Sequence, residues 1–88
     1  MPTTAKPVRL SGHARQQIRF RGGPEQEILE TIHGESWTPA EHNRIECRMD
    51  FPFNQVWNGK RYATKQVLPI FVEEPNEIIV VTVYVYYF

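Results

Sequence analysis

Lys60, Arg61 and Lys65 stand close in the chain to Tyr62, and a second run of rings, Tyr84, Tyr86 and Tyr87, lies near its end. Cations mixed with aromatic rings suit phosphate neutralisation and base stacking. Exposed lysines and structural tyrosines are equally ordinary furniture of an antiparallel sheet. A second group, His13, Gln17 and Arg21, is spaced i, i+4 and i+8, so a helix carries all three on one side. On a wheel started at Leu10 that side also collects Ala14, Ile18 and Phe20, whereas Arg15, Gln16 and Arg19 point outward. Polar groups buried without partners cost several kcal/mol, so the row either borders a cleft or meets acceptors on a sheet. The plainer arrangement is a shorter helix with Arg21 snorkelling and His13 in a local hydrogen bond.

The remaining reactive residue types are sparse. His33 falls where an imidazole suits a helix C-terminus, and His42 falls in a loop. No histidine has metal-ligand spacing to a carboxylate or thiolate, so neither a metal site nor another cofactor is expected. Cys47 lies on the apolar side of an alternating segment, where a thiol is more often core filler than nucleophile. Gly22-Gly23-Pro24 lacks the full phosphate-loop pattern and marks an interhelical break.

These residues need elements to position them. Residues 1 to 10 carry two prolines and two threonines without periodicity, and are expected to be a flexible lead to a single domain over 11 to 88. Ser11 is a plausible N-cap for a helix Gly12 to Arg21. Pro24 starts a second helix at its first position, with Glu25 and Glu27 against the dipole, Ile28, Leu29 and Ile32 on its apolar side, and Gly34 as a left-handed stop. From 44 to 53 the chain alternates, with Ile45, Cys47, Met49, Phe51 and Phe53 on one face and Arg44, Glu46, Arg48 and Asp50 on the other, a half-buried strand. Asn58-Gly59 is a type I′ hairpin signal leading into a strand from Lys60 towards Val72.

Glu73 to Asn76 forms the next turn, and Ile78 to Phe88 a last strand apolar or aromatic on both faces. Such a strand is central, covered on both sides, or part of an interface. A four-residue turn over 73 to 76 sets Lys65 opposite Tyr84; a five-residue turn sets Gln66 there, and a bulge at Pro69 switches between the two.

Composition limits the functional classes. Eighty-eight residues with 41% apolar and 12% aromatic side chains make one core and argue against wholesale disorder. A lone cysteine rules out an intrachain disulfide and fits a reducing, cytoplasmic setting. No stretch approaches the roughly 18 apolar residues of a membrane span, so no membrane partner is expected. The net charge of zero hides an asymmetry: the first 24 residues hold Lys6, Arg9, Arg15, Arg19 and Arg21 with no acid, while residues 25 to 50 are acidic. The basic helix either faces an anion or pairs with its acidic neighbour.

The pattern His13-Ala14, Arg21-Gly22, an acidic second helix and the terminal Ile78-Ile79-Val80-Val81-Thr82-Val83-Tyr84 resembles the family called domain of unknown function 4258. That family is itself similar to the RelE-like and BrnT-like toxins of bacterial toxin–antitoxin systems. The chain departs from it at Gln17, where arginine is common, and in Gly23-Pro24. The resemblance implies an α+β fold, two N-terminal helices packed on a twisted, predominantly antiparallel sheet of three to four strands. It also implies a metal-independent endoribonuclease, in which a ribose 2′-hydroxyl attacks the adjacent phosphate. His13 is then the base or acid, Arg21 and Lys65 stabilise charge, and Tyr84 relays a proton or stacks. Arg15, Arg19 and Arg61 track the RNA backbone, with Tyr62 among the RNA-binding residues. The implied partners are RNA and a small antitoxin protein. The alternative is a non-catalytic interaction module that uses the sheet or its last strand, including to form a homodimer.

Overall fold

Asn58 and Gly59 both adopt positive φ, 54° and 82°, as a type I′ turn demands, and join two long strands where the sequence places a hairpin. The computed structural model describes residues 6–22 and 24–88; Gly23, half of the expected Gly-Gly break, and residues 1–5 of the expected lead lie outside the described residues. In chain order the elements are β1 (Val8–Leu10), α1 (Gly12–Arg21), α2 (Glu25–Gly34), β2 (Thr38–Ala40), β3 (Arg44–Glu46), β4 (Met49–Trp57), β5 (Lys60–Glu73) and β6 (Ile78–Tyr87). Among the described residues the sheet has six strands in the order β1-β6-β5-β3-β2, and β4 pairs with β5 beside β3.

This corrects the expected sheet of three to four strands: it has six and is mixed, because β1 runs parallel to β6 with Val8 opposite Ile78 and Leu10 opposite Val80. The two added edge strands are three residues each, too short for alternation to show, and β2 contains Pro39, which an edge tolerates. The alternating segment from 44 divides into β3 and β4, yet both halves keep one register on β5, from Ile45 opposite Phe71 to Met49 opposite Val67. Between them the chain passes Pro69, which has no N–H to give to a ladder.

The register of the last hairpin differs from both expected alternatives. Glu73 faces Ile78 across a turn of residues 74 to 77, and an irregularity between Ile70 and Phe71 leaves Val81 without an opposite residue. Lys65 therefore faces Tyr87, and Leu68 faces Tyr84. The bulge sits on β6 rather than at Pro69, and because side chains alternate faces, the shift sends Lys65 and Tyr84 to opposite sides of the sheet.

Ser11 caps α1 as expected, its hydroxyl accepting from Ala14 N at 3.1 Å, and Gly22 closes the helix in the left-handed conformation at φ 76°. Two other expectations fail at α2. Pro24 is the extended N-cap rather than the first helical residue, and Gly34 is helical while the extended Glu35 ends the element. Ile28, Thr31 and Ile32 of α2 are buried and join Cys47, Val67, Phe71, Val80 and Val83 in the core, with Trp37 edge-on to Phe71 at 5.0 Å. Both helices lie on one side of the sheet, and among the described residues the other face is left uncovered. β5, at roughly 3.3 Å per residue over its 14 residues, accounts for the 42 Å long dimension.

Candidate functional site

Along α1 only Ala14 is fully buried, so the helix is fastened chiefly by polar contacts with the edge of β6. Beyond Val80 that edge has no neighbouring strand among the described residues, and its outward N–H and C=O groups need partners. Ser11 N donates to Val80 O at 2.9 Å, and the Ser11 hydroxyl donates to Val81 O at 3.4 Å. Two turns further, Val83 N donates to Gln17 Oε1 at 2.8 Å and Arg21 Nη1 donates to Val83 O at 2.6 Å. Gln17 and Arg21 thus imitate the missing strand across one residue, which is possible because Val83 faces Pro69 and turns its own polar groups outward. Gln17 and Arg21 of the row meet one donor and one acceptor on the sheet, but His13 does not take part: it is exposed in the first turn of α1, as is Phe20, at 75% exposure, in the last.

Under the C-terminus of α1 lies a second polar knot. Lys65, 6% exposed, places Nζ 2.7 Å from Glu27 Oε1 and donates to Gly22 O at 3.2 Å, with the Phe53 ring 5.5 Å away. Tyr87 donates from Oη to Arg21 O at 2.6 Å. Its ring stacks on Trp57 at 5.0 Å and touches Phe53 and Tyr62. Burial, then the Glu27 carboxylate, push the Tyr87 phenol above its ordinary range. Glu27 Oε1 accepts no aligned hydrogen bond among the described residues, so it is held by the ammonium charge alone. The lysine, carboxylate, phenol and two carbonyls are close-packed around Gly22, where an added Cβ would sit 2.6 Å from Tyr87 Oη.

The four residues that the ribonuclease reading requires are therefore not gathered. Arg21 is committed to Val83 O and to the Tyr84 ring, 4.9 Å from its guanidinium carbon; Lys65 is buried on the helix side; Tyr84 stands on the opposite face; His13 lies two helical turns from Arg21. Of the expected RNA contacts, Arg15 and Arg19 are exposed on α1 and Arg61 is exposed near the β4–β5 turn. Tyr62 is half-buried against Tyr87, with Lys60 5.5 Å over its ring. Among the described residues no ion pair joins α1 to α2; the acidic partner that matters is Glu27, reaching Lys65 on the sheet. Neither do the described residues hold three histidine, cysteine or acidic side chains grouped as metal ligands. No described helix is long and apolar enough to cross a membrane.

What the fold leaves open is the far face of the sheet. Tyr84, Tyr86 and Phe88 stand there at 38%, 48% and 58% exposure, the two tyrosine rings stacked 6.3 Å apart at 16°. Beside them run Leu68 and Ile70 of β5, then the charged row Arg44, Glu46, Arg48 and Asp50 of β3 and β4. Within that row Arg48 meets Glu46 at 3.3 Å, and Asp50 accepts from Gln66 at 2.8 Å. A hollow of about 320 Å³ opens at one end between Tyr84, Thr82, Ile70, Arg44 and His42. The aromatic members were visible in the sequence as a run of rings; that they share one uncovered face depends on the Val81 bulge, which no pattern announces.

No family model, curated protein or solved structure matches the chain in comparisons with known proteins.

Proposed function

We propose that this chain is a non-catalytic interaction module that binds protein through the uncovered face of its sheet. One observation carries the reading: Tyr84, Tyr86 and Phe88 form an exposed aromatic row on a face that neither helix covers. Rings with few rotatable bonds deliver much contact area at low entropic cost, and tyrosines are enriched in interface cores. The charge beside them argues for protein over a polyanion. Arg44 and Arg48 are balanced by Glu46 and Asp50 on the same face, which leaves Arg21, engaged with Val83 O, as the excess cation beside the Tyr84 ring, whereas nucleic acid calls for a larger positive excess. The clustered groups that catalysis needs are meanwhile spent on structure, Arg21 on a backbone carbonyl and Lys65 on Glu27.

The test places a photo-crosslinking benzoylphenylalanine at Tyr86 and, as control, at the exposed Glu25 of α2, in cells that express the chain. Position 86 is expected to give discrete protein adducts that Tyr84→Lys abolishes, and position 25 none. Purified protein is expected to leave total RNA intact. Cleavage of RNA that His13→Ala removes with the fold retained, or adducts at 86 with nucleic acid only, would overturn the reading.

A further inference from the structure

The charged row on the uncovered face alternates plus, minus, plus, minus from Arg44 through Glu46 and Arg48 to Asp50. Reversed end to end, the same row reads minus, plus, minus, plus. A sequence of charges complementary to its own reverse is what a two-fold axis requires, since an isologous contact sets each surface against itself. Accordingly, resting on the interaction reading above, we infer that the occupant of this face is a second copy of the chain, packed sheet on sheet about a two-fold axis.

The axis lies in the contact plane, crosses the strands, and passes between Glu46 and Arg48. Arg44 then faces Asp50 of the second copy and Glu46 faces Arg48 of the second copy, each contact occurring twice. On β5 the same operation sets Ile70 over Leu68, which is already 7% exposed beneath its neighbours, and on β6 it brings Thr82 to Tyr84, so the rings of β6 carry the middle of the contact, with charges at one flank. Tyr86 meets the stretch below the partner's Thr82, and Asp50 reaches the hollow lined by Arg44 and His42. The competing two-fold, with its axis along the strands, sets the charged row against the aromatic row and buries four charges without partners. Two sheets of the same hand pack at about 30°, so each strand crosses its counterpart at the axis and the two separate towards their ends, by a distance at 44 and 50 that an arginine side chain spans.

The face suits a dimer of modest strength. Nine residues from 44 to 52 at about 3.3 Å each, across three strands about 4.8 Å apart, give on the order of 400 Å² per copy. Stable complexes bury about 800 Å² per partner, so at half that area weak association is expected, with Kd on the order of 100 µM.

Sedimentation velocity of the purified chain from about 10 µM to about 1 mM reads the dimer directly. Arg44→Asp and Asp50→Arg each set like charges together twice, and each is expected to raise Kd about tenfold. The double variant Arg44→Asp/Asp50→Arg restores the wild-type value, and an equimolar mixture of the two single variants forms a heterodimer tighter than either homodimer. Residues 44 and 50 are about 20 Å apart along a strand, so rescue cannot arise within one chain. A chain that stays monomeric throughout, or a dimer indifferent to these charges, overturns the inference. If Tyr86 adducts with a different protein persist in that case, the interaction reading stands and only the second copy falls.

Discussion

Replacing Gly22 by alanine should be the most damaging single-methyl change in the chain, for two separable reasons. The residue sits at φ 76°, a region that costs a β-carbon about 1–2 kcal/mol, and its Cβ would stand 2.6 Å from Tyr87 Oη and 3.1 Å from the Trp57 ring. Relieving the contact moves a hydroxyl that donates to Arg21 O at 2.6 Å, forfeiting a hydrogen bond of about 1 kcal/mol. The sum is about 2–3 kcal/mol, or a fall in Tm of roughly 10–20 °C for a domain of this size. Gly59→Ala isolates the backbone part, since φ is 82° but nothing lies within 4 Å, and should cost only about 1–2 kcal/mol. Gly34→Ala, with open space and ordinary helical φ, should be neutral or stabilising. Urea unfolding of the three variants and of Gly22→Ala/Tyr87→Phe reads the difference. The pair should be non-additive by about 1 kcal/mol, because phenylalanine has already given up the displaced hydroxyl. Equal losses at Gly22 and Gly59, together with strict additivity in the pair, would refute this account of the contact between α1 and β6.

Other expectations concern single groups. Glu27→Ala leaves the Lys65 ammonium buried without a counter-charge and should cost about 3 kcal/mol by denaturant unfolding, whereas Glu27→Leu/Lys65→Met should recover most of that. Burial, then Glu35 and Glu46, push the Cys47 thiol from 9.0 up to about 12, so at pH 8 iodoacetamide should alkylate it about a thousandfold more slowly than the unfolded chain. The hydrogen bond from Arg9 holds the exposed Glu77 carboxyl below its ordinary 4.5, and Arg9→Ala should return its NMR titration upward. A depressed carboxyl stabilises the fold above its unfolded pKa and loses that contribution as pH falls through the folded one, so Arg9→Ala should flatten the acid limb of a stability profile.

Much of the framework is legible in local pattern. The Ser11 cap, the bounds of α1, the alternation of residues 44 to 53 and the Asn58-Gly59 turn each rest on chemistry within a few residues, and each stands in the fold. What escapes depends on contacts distant in sequence. Val8 to Leu10 become a strand only because Ile78 to Val80 offer a parallel edge, and Pro39 hides β2. Phe20 would face inward only if α1 lay flat on the sheet, whereas it runs along the β6 edge and buries little beyond Ala14 and the flank of Ile18. Of the row His13, Gln17 and Arg21, whose spacing points it at the sheet, Gln17 and Arg21 reach the backbone of Val83 and His13 stays exposed. A single bulged residue, Val81, then decides whether Tyr84 joins Lys65 or turns to the open face.

The claim that this open face is an interface meets its most direct test in the four tyrosines. Photochemically induced nuclear polarisation marks rings that a dissolved dye can reach, and the two classes of ring serve as each other's control. As protein concentration rises through the dimer range, Tyr84 and Tyr86 should lose their signals while the weaker signals of Tyr62 and Tyr87 stay constant. Signals from Tyr84 and Tyr86 that persist unchanged at about 1 mM would contradict burial of this face against a second copy.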